Sequence, residues 1–230
     1  MKTIGLIGGM SWESSLHYYK IVNEEIKKRL GGHHSCKCMM YSVDFAEVEQ
    51  LQHEGKWDQL TELMLEAASN IKKGGADFLI ICTNTMHKMA DDIERKAGIP
   101  VLHIADAAAE SIKAQKMKKV GLLGTRFTME QDFYKGRLWE KHGIEVIIPR
   151  EKERQSVHDI IYNELVHGVT KESSRKIYAE IIDSLVAEGA EGIILGCTEI
   201  PLLICQKDCE ARLFDTTAIH ALAAVEAALG

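Results

Sequence analysis

Short apolar runs alternate with longer stretches of helical spacing along most of the chain. Residues 3–7 form such a run, closed by Gly8-Gly9, and predict a buried strand and a tight loop. Residues 11–30 follow with Leu16, Tyr19, Ile21, Val22 and Ile26 apolar among lysines and glutamates, which predicts a helix capped by Ser11 with Ser14 or Ser15. Residues 38–43 predict a second strand, and 58–73 an amphipathic helix stopped by Gly74-Gly75. Residues 77–82 are apolar enough for a strand buried on both faces, as in a parallel sheet. A helix over 85–97, a strand over 101–104 and an alanine-rich helix to about residue 114 come next.

The pattern then restarts. Val120-Gly-Leu-Leu-Gly-Thr echoes Ile4-Gly-Leu-Ile-Gly-Gly at an offset of 116. Strands over 144–148 and 192–195, helices over 157–166 and 172–187, and a closing strand-then-helix over 211–229 complete it. Alternating strands and helices predict an α/β fold with parallel sheets flanked by helices. The internal echo predicts two pseudo-symmetric lobes, residues 1–98 plus 207–230 and residues 99–206, with the active site in the cleft between them.

Composition narrows the function. A net charge of −6 without a basic run argues against nucleic acid or an anionic membrane surface as partner. No apolar run reaches the length of a membrane span, and the opening residues lack the apolar core and cleavage site of a signal peptide. Six cysteines then read as reduced thiols, and a cytoplasmic protein is expected. The Gly5 to Gly9 stretch lacks the G-x-G-x-x-G spacing of a dinucleotide site. His33-His34-Ser35-Cys36-Lys37-Cys38 has no second ligand cluster beside it, with Cys205 and Cys209 distant in sequence, so no metal is expected.

Two stretches concentrate the chemistry. Gly75-Ala76-Asp77 and Gly189-Ala190-Glu191 each lead into an apolar run, and their offset of 114 pairs Thr83 with Cys197. Both fall at the carboxyl end of a strand, where open α/β sheets bind ligands. A following helix N-terminus would lower the Cys197 thiol pKa and make it a base or nucleophile. Asn84, Thr85 and Thr198 offer short polar donors for a small carboxylate. The Gly8-Gly9 turn would bring Met10 and Ser11 to the cleft, although Met10 also fits a plain core role, and Thr125 is the counterpart of that region. Glu199 suits the substrate amine, the environment of Cys197 or helix capping. His87, one turn after Thr83, could orient the site, bind a carboxylate or be an ordinary helix histidine. Asp106 and Asp215 fit helix caps. Cys82, one register step from Thr83, should face the core.

The chain resembles the aspartate/glutamate racemase family in Gly8-Gly9-Met10, in Asn84-Thr85 with His87, and in Gly196-Cys197-Thr198-Glu199 with Pro201-Leu202-Leu203. The resemblance implies a racemase without pyridoxal phosphate or other cofactor, in which two cysteines exchange the α-proton of an amino acid on opposite faces. It also implies a homodimer. This chain departs from the pattern at Thr83, where most of the family has cysteine. It looks most like the Thr/Cys branch, with Cys197 as the one strong base and turnover that is slow and prefers an L-amino acid. Residues 43–52 and 164–168 hold no Lys or Arg for a side-chain carboxylate, leaving Gln52 and His167 as neutral polar candidates. That favours substrates beyond aspartate and glutamate. A single-cysteine decarboxylase-like relative and a non-catalytic amino-acid-binding protein on the same scaffold are the alternatives.

Overall fold

A computed structural model describes residues 1–230. The chain separates into two compact units, Met1–Ile104 with His220–Gly230, and Ala105–Ile219.

In the first unit, β1 (Ile4–Gly8) is the centre of a three-stranded parallel sheet between β2 (Cys38–Ser42) and β3 (Phe78–Ile81). The period-2 alternation of β1 and β3 explains its two cores. Ile4, Leu6, Ile80 and Cys82 face α1 (Trp12–Leu30) and the C-terminal helix, packing on Tyr18, Val22, Ile26, Ala221, Ala224 and Val225. Ile7, Leu79 and Ile81 face the other way, onto Val48 of α2 (Phe45–His53), Leu60, Met64, Ala67 and Ile71 of α3 (Trp57–Lys73), and Met86. Helix α3 matches its prediction within one residue, whereas α2, nine residues capped by Asp44, was too short for its periodicity to stand out.

Two predicted elements differ. Residues 85–97 are not one regular helix: a 3-10 turn (Thr85–Met89), a single α-turn α4 (Ala90–Ile93) and a π-turn (Glu94–Gly98) succeed one another. The predicted strand over 101–104 reduces to one bridge, Leu79 with Val101, because α5 (Ile104–Ala114) already begins at Ile104.

The second unit holds a four-stranded parallel sheet in the order β5 (Glu145–Ile147), β4 (Lys119–Gly124), β6 (Gly192–Gly196), β7 (Arg212–Asp215). Helices α6 (Arg126–Glu130), α7 (Asp132–His142), α8 (Glu151–Asn163) and α9 (Glu172–Ala187) surround it, and a single turn, α10 (Ile200–Leu203), follows β6. Asp106 of α5 takes a bidentate bond from Arg137 at 2.7 and 2.6 Å and a third from His142 at 2.9 Å, which ties α5 to α7. Asp106 therefore serves a different role from the cap expected of it.

The compact units divide the chain at other points than the expected lobes. Val101 bridges to β3, which keeps residues 99–104 in the first unit. Strand β7 hydrogen-bonds to β6, which keeps residues 207–219 in the second, and only the part of α11 (Thr216–Leu229) from His220 onward belongs to the first. No helix is long and apolar enough to cross a membrane.

Candidate active site

In the first unit the candidate residues gather beyond the carboxyl ends of β1 and β3. Gly9 turns the chain at φ +90°, and a Cβ there would run into the Val43 carbonyl, so only glycine makes this turn. The turn is tied to the start of α1: Gly9 N–H donates to Ser15 Oγ at 2.8 Å, and Ser15 Oγ–H donates to the Ser11 carbonyl at 2.9 Å. Ser11 is the N-cap of α1, accepting from Ser14 N–H at 3.3 Å, as the sequence predicts. Met10 is buried in the core beneath α3.

At the end of β3, Cys82 is fully buried and burial raises its thiol pKa, which makes it an inert core side chain. Its carbonyl accepts from Ser14 Oγ–H at 3.1 Å. The next side chain, Thr83, is only half-buried, in keeping with the one-residue register step from Cys82. Asn84, Thr85 and His87 are buried around it. His87 Nδ1 is 2.8 Å from the Thr83 carbonyl, so the ring donates there. Gln52, buried on α2, points its amide at Met86 Sδ, 3.2 Å away, which brings it to this same stretch. Lys88 exposes its ammonium over Trp57, 4.0 Å from the ring centroid.

In the second unit, β4 and β6 end side by side with Gly124 paired to Gly196. A Cβ on Gly124 would stand 2.8 Å from the Gly196 carbonyl, so two glycines let the strand ends close up just before Thr125 and Cys197. Thr125 caps α6, accepting from Thr128 N–H at 3.3 Å. Cys197 is 8% exposed, and its thiol donates to Glu199 Oε2 at 3.0 Å, while Thr198 Oγ1–H donates to the same oxygen at 2.7 Å. A buried carboxylate is thus gripped by the thiol and a hydroxyl.

The electrostatics of Cys197 reverse the sequence expectation. Burial, and then the Glu199 carboxylate, push its thiol pKa well above the usual range, and the backbone amides of Thr198 and Glu199 only partly offset them. The helix expected to depress it is the four-residue turn α10, too short for a substantial dipole. Tyr178 of α9 lies buried nearby, its hydroxyl donating to the Val157 carbonyl at 3.3 Å and its own pKa raised by burial and by Cys197.

Thr217 is a residue that sequence reasoning passed over. The register Leu195 to Asp215 places Cys197 and Thr217 each two residues beyond the paired strands, and the Thr217 hydroxyl is buried without a hydrogen-bond partner. Asp215, predicted as a helix cap, accepts from Thr217 N–H at 2.9 Å. His167 is exposed.

Elsewhere, a cavity of about 680 Å³ between β2, α2 and α3 contains none of the candidate residues, and its wall of Asp44, Glu47, Glu62 and Glu66 repels a carboxylate substrate. No group of three His, Cys, Asp or Glu side chains converges as a metal site would require. Cys36 and Cys38 stand together at the start of β2: the Cys36 thiol donates to the Lys37 carbonyl at 3.5 Å, and its proximity lowers the Cys38 thiol pKa against the opposing effect of burial.

Parallel sheets that end in a carboxylate-bound thiol in one unit and in clustered hydroxyl, amide and imidazole groups in the other define an α/β enzyme of acid–base chemistry. The chain belongs to the Asp/Glu/hydantoin racemase family, which it matches over residues 7–224. It is 56% identical to a Yersinia pestis protein assigned to the Asp/Glu racemases, whose crystal structure superposes with a TM-score of 0.94 over 100% of both chains. The structure of an aspartate racemase homologue from Pyrococcus horikoshii OT3 is 36% identical, with a TM-score of 0.86 and 100% of both chains covered. The broad specificity amino-acid racemase RacX of Bacillus subtilis is 25% identical over 232 residues, 96% of each chain.

Proposed function

We propose that the protein is a cofactor-independent amino-acid racemase in which Cys197 and Thr83 serve opposite faces of one α-carbon. The observation that carries this reading is the thiol of Cys197 donating to the buried carboxylate of Glu199. Glu199 accepts the thiol proton, and the amides of Thr198 and Glu199 support the thiolate. The thiolate then removes the α-proton of the L-amino acid, becoming a thiol again and leaving a carbanion conjugated with the substrate carboxylate. A thiol of raised pKa gives a stronger base once ionised, which suits a weakly acidic C–H. Thr83, half-buried at the end of β3, delivers a proton to the other face from its hydroxyl or a water that it holds, and solvent restores that proton while taking the one left on Glu199.

Asn84, Thr85 and Thr198 are assigned to the substrate carboxylate, and Met10, Ser11, Gln52 and Thr125 to the walls of the site. Thr217 joins them through its buried hydroxyl. Gln52, which reaches the stretch after Thr83, is neutral, and Lys88 lies exposed over Trp57. This supports a set of substrates wider than aspartate and glutamate. The name carried by the Bacillus subtilis relative points the same way.

A homodimer follows the same reading. Trp12, Leu16 and Tyr19 of α1 are 65%, 57% and 48% exposed and form one apolar stripe with Met40, around a cavity of about 340 Å³. A second copy of the chain is the occupant assigned to it. A cytoplasmic location belongs to the same reading, and six free thiols support it.

The test is α-proton washout in D2O followed by NMR, over a panel of L- and D-amino acids that includes aspartate, glutamate, homoserine and neutral residues. Washout from L-substrates that disappears in Cys197→Ala and survives in Cys82→Ala is expected. A wild-type protein silent toward every amino acid would overturn the reading.

A further inference from the structure

Three histidines lie together in the first unit, buried behind the stretch that carries Thr83. His87 and His103 have ring centroids 4.6 Å apart, and His87 and His220 are 5.5 Å apart in an edge-on arrangement. All three are at least 96% buried, with 2%, 4% and 0% exposure for His87, His103 and His220. Solvated surface histidines have no need of such an arrangement, and three imidazoles cost more to bury than three aliphatic side chains.

For two of the rings the hydrogen bonds fix which nitrogen carries the proton. A carbonyl oxygen only accepts, so His220 Nε2, 2.8 Å from the Leu102 carbonyl, is the protonated nitrogen of that ring. Its Nδ1 is then the acceptor for the Tyr18 hydroxyl at 2.9 Å, and burial keeps the ring neutral. By the same argument His87 carries its proton on Nδ1, donating to the Thr83 carbonyl at 2.8 Å. His87 packs edge-on against His220 and tilted against His103, which keeps its plane from turning.

We infer that His87 is a positioning residue for Thr83. Its Nδ1–H holds the peptide that follows β3, and packing against His103 and His220 prevents the ring from rotating away. The irregular geometry after β3 makes this anchor necessary. Thr85–Met89 is a 3-10 turn rather than an α-helix, so the Thr83 carbonyl lacks the regular helical ladder and takes a side-chain donor instead. Ser14 performs the same service for the Cys82 carbonyl, one residue earlier. Two adjacent carbonyls held by side chains fix the peptide plane from which the Thr83 hydroxyl projects, and a misplaced proton donor slows transfer steeply.

This role rests on the racemase reading and gives it an asymmetric signature. Thr83 serves one face of the α-carbon, so loss of its anchor should slow washout from D-substrates far more than from L-substrates. In His87→Leu, the ratio of L to D washout rates should rise by roughly tenfold or more while KM changes little. His87→Asn places an amide donor where Nδ1–H stood and should recover most of the loss. Equal slowing of both isomers in His87→Leu, or no rescue by His87→Asn, overturns the inference and leaves the racemase reading intact. Absence of washout in the wild type removes the racemase reading itself, and this role with it. A long-range 1H–15N spectrum of the wild-type imidazoles checks the geometry without any variant. It should show His87 protonated on Nδ1 and His220 on Nε2, and a proton on His87 Nε2 alone would overturn the assignment.

Discussion

The thiol of Cys197 and the carboxylate of Glu199 share a 3.0 Å hydrogen bond in a buried setting, and Thr198 closes on the same carboxylate oxygen from 2.7 Å. On the proposed reading the pair, rather than the cysteine alone, loses and regains the proton. Replacing Glu199 by Gln keeps the shape and removes the acceptor. Turnover should fall by about 10²- to 10⁴-fold, the usual worth of a positioned general base. The thiol pKa should fall at the same time, because the carboxylate charge is one of the two causes that raise it. A thiolate titration by absorbance, run beside kcat, reads both. Wild-type turnover in Glu199→Gln would show that the carboxylate is a bystander.

Thr83 and Cys197 are expected to be separable. Thr83→Ala should abolish racemisation yet keep α-proton washout from L-substrates, since that step needs only the thiol. Thr83→Cys should accelerate the reaction of the D-isomer, because a thiol is a far stronger acid than a hydroxyl. Chiral chromatography of the products and NMR of the residual α-proton distinguish the two effects.

His220 predicts a specific loss of stability in acid. Its pKa is lowered from 6.5 to about 4, with burial as the cause and the Leu102 carbonyl only partly compensating. Below 6.5 the unfolded chain takes up a proton that the folded chain excludes. The stability is therefore complete above 6.5 and declines as the pH falls toward 4, by roughly 3 kcal/mol in total. Urea unfolding across this range should show a slope in wild type that is reduced in His220→Gln, whatever the absolute stability of the variant. An unchanged slope would assign the acid sensitivity to other groups.

The paired glycines under the thiol site should resist substitution. A Cβ on Gly196 would lie 2.9 Å from the Leu123 carbonyl and 2.8 Å from Leu122 Cδ1. Gly196→Ala should cost about 1–3 kcal/mol in urea unfolding, because a backbone atom has no way to yield. The Cys197 side chain would shift with its strand, so turnover should fall even at temperatures where the variant is folded.

The stripe on α1 predicts the state of association. Leu16→Glu places a charge in the middle of Trp12, Tyr19 and Met40 and should convert a dimer to a monomer in sedimentation velocity. A wild-type protein that is already monomeric at micromolar concentration would remove the assignment of this face.

Much of the scaffold was legible because burial on both faces of a parallel sheet writes itself as apolar runs, and α3 and α9 carry long regular stripes. The Cys82–Thr83 distinction was legible for the same reason: the period of a strand decides which side chain meets the core. The stretch after β3 was not. Residues 85–98 have helical spacing throughout, and nothing in that spacing records a 3-10 turn passing into an α-turn and then a π-turn. The chemistry of Cys197 was misread in direction, since its motif suggested a helix dipole and the helix proved to be one turn long. Its carboxylate partner lies two residues away in sequence, but only the fold decides that both are buried together. Thr217 left no sequence signal beyond its place at the end of an apolar run.

The Cys36–Cys38 pair at the start of β2 bears on how the protein will answer to thiol chemistry. Cys38 is partly exposed and its thiol pKa is lowered by Cys36, whereas Cys197 is buried and its thiol pKa is raised. An alkylating agent at neutral pH should therefore mark β2 long before it reaches Cys197. Label count and loss of function would then diverge, with the first adduct silent. On the proposed reading, the same burial that makes the Cys197 thiolate a strong base also shields it from electrophiles.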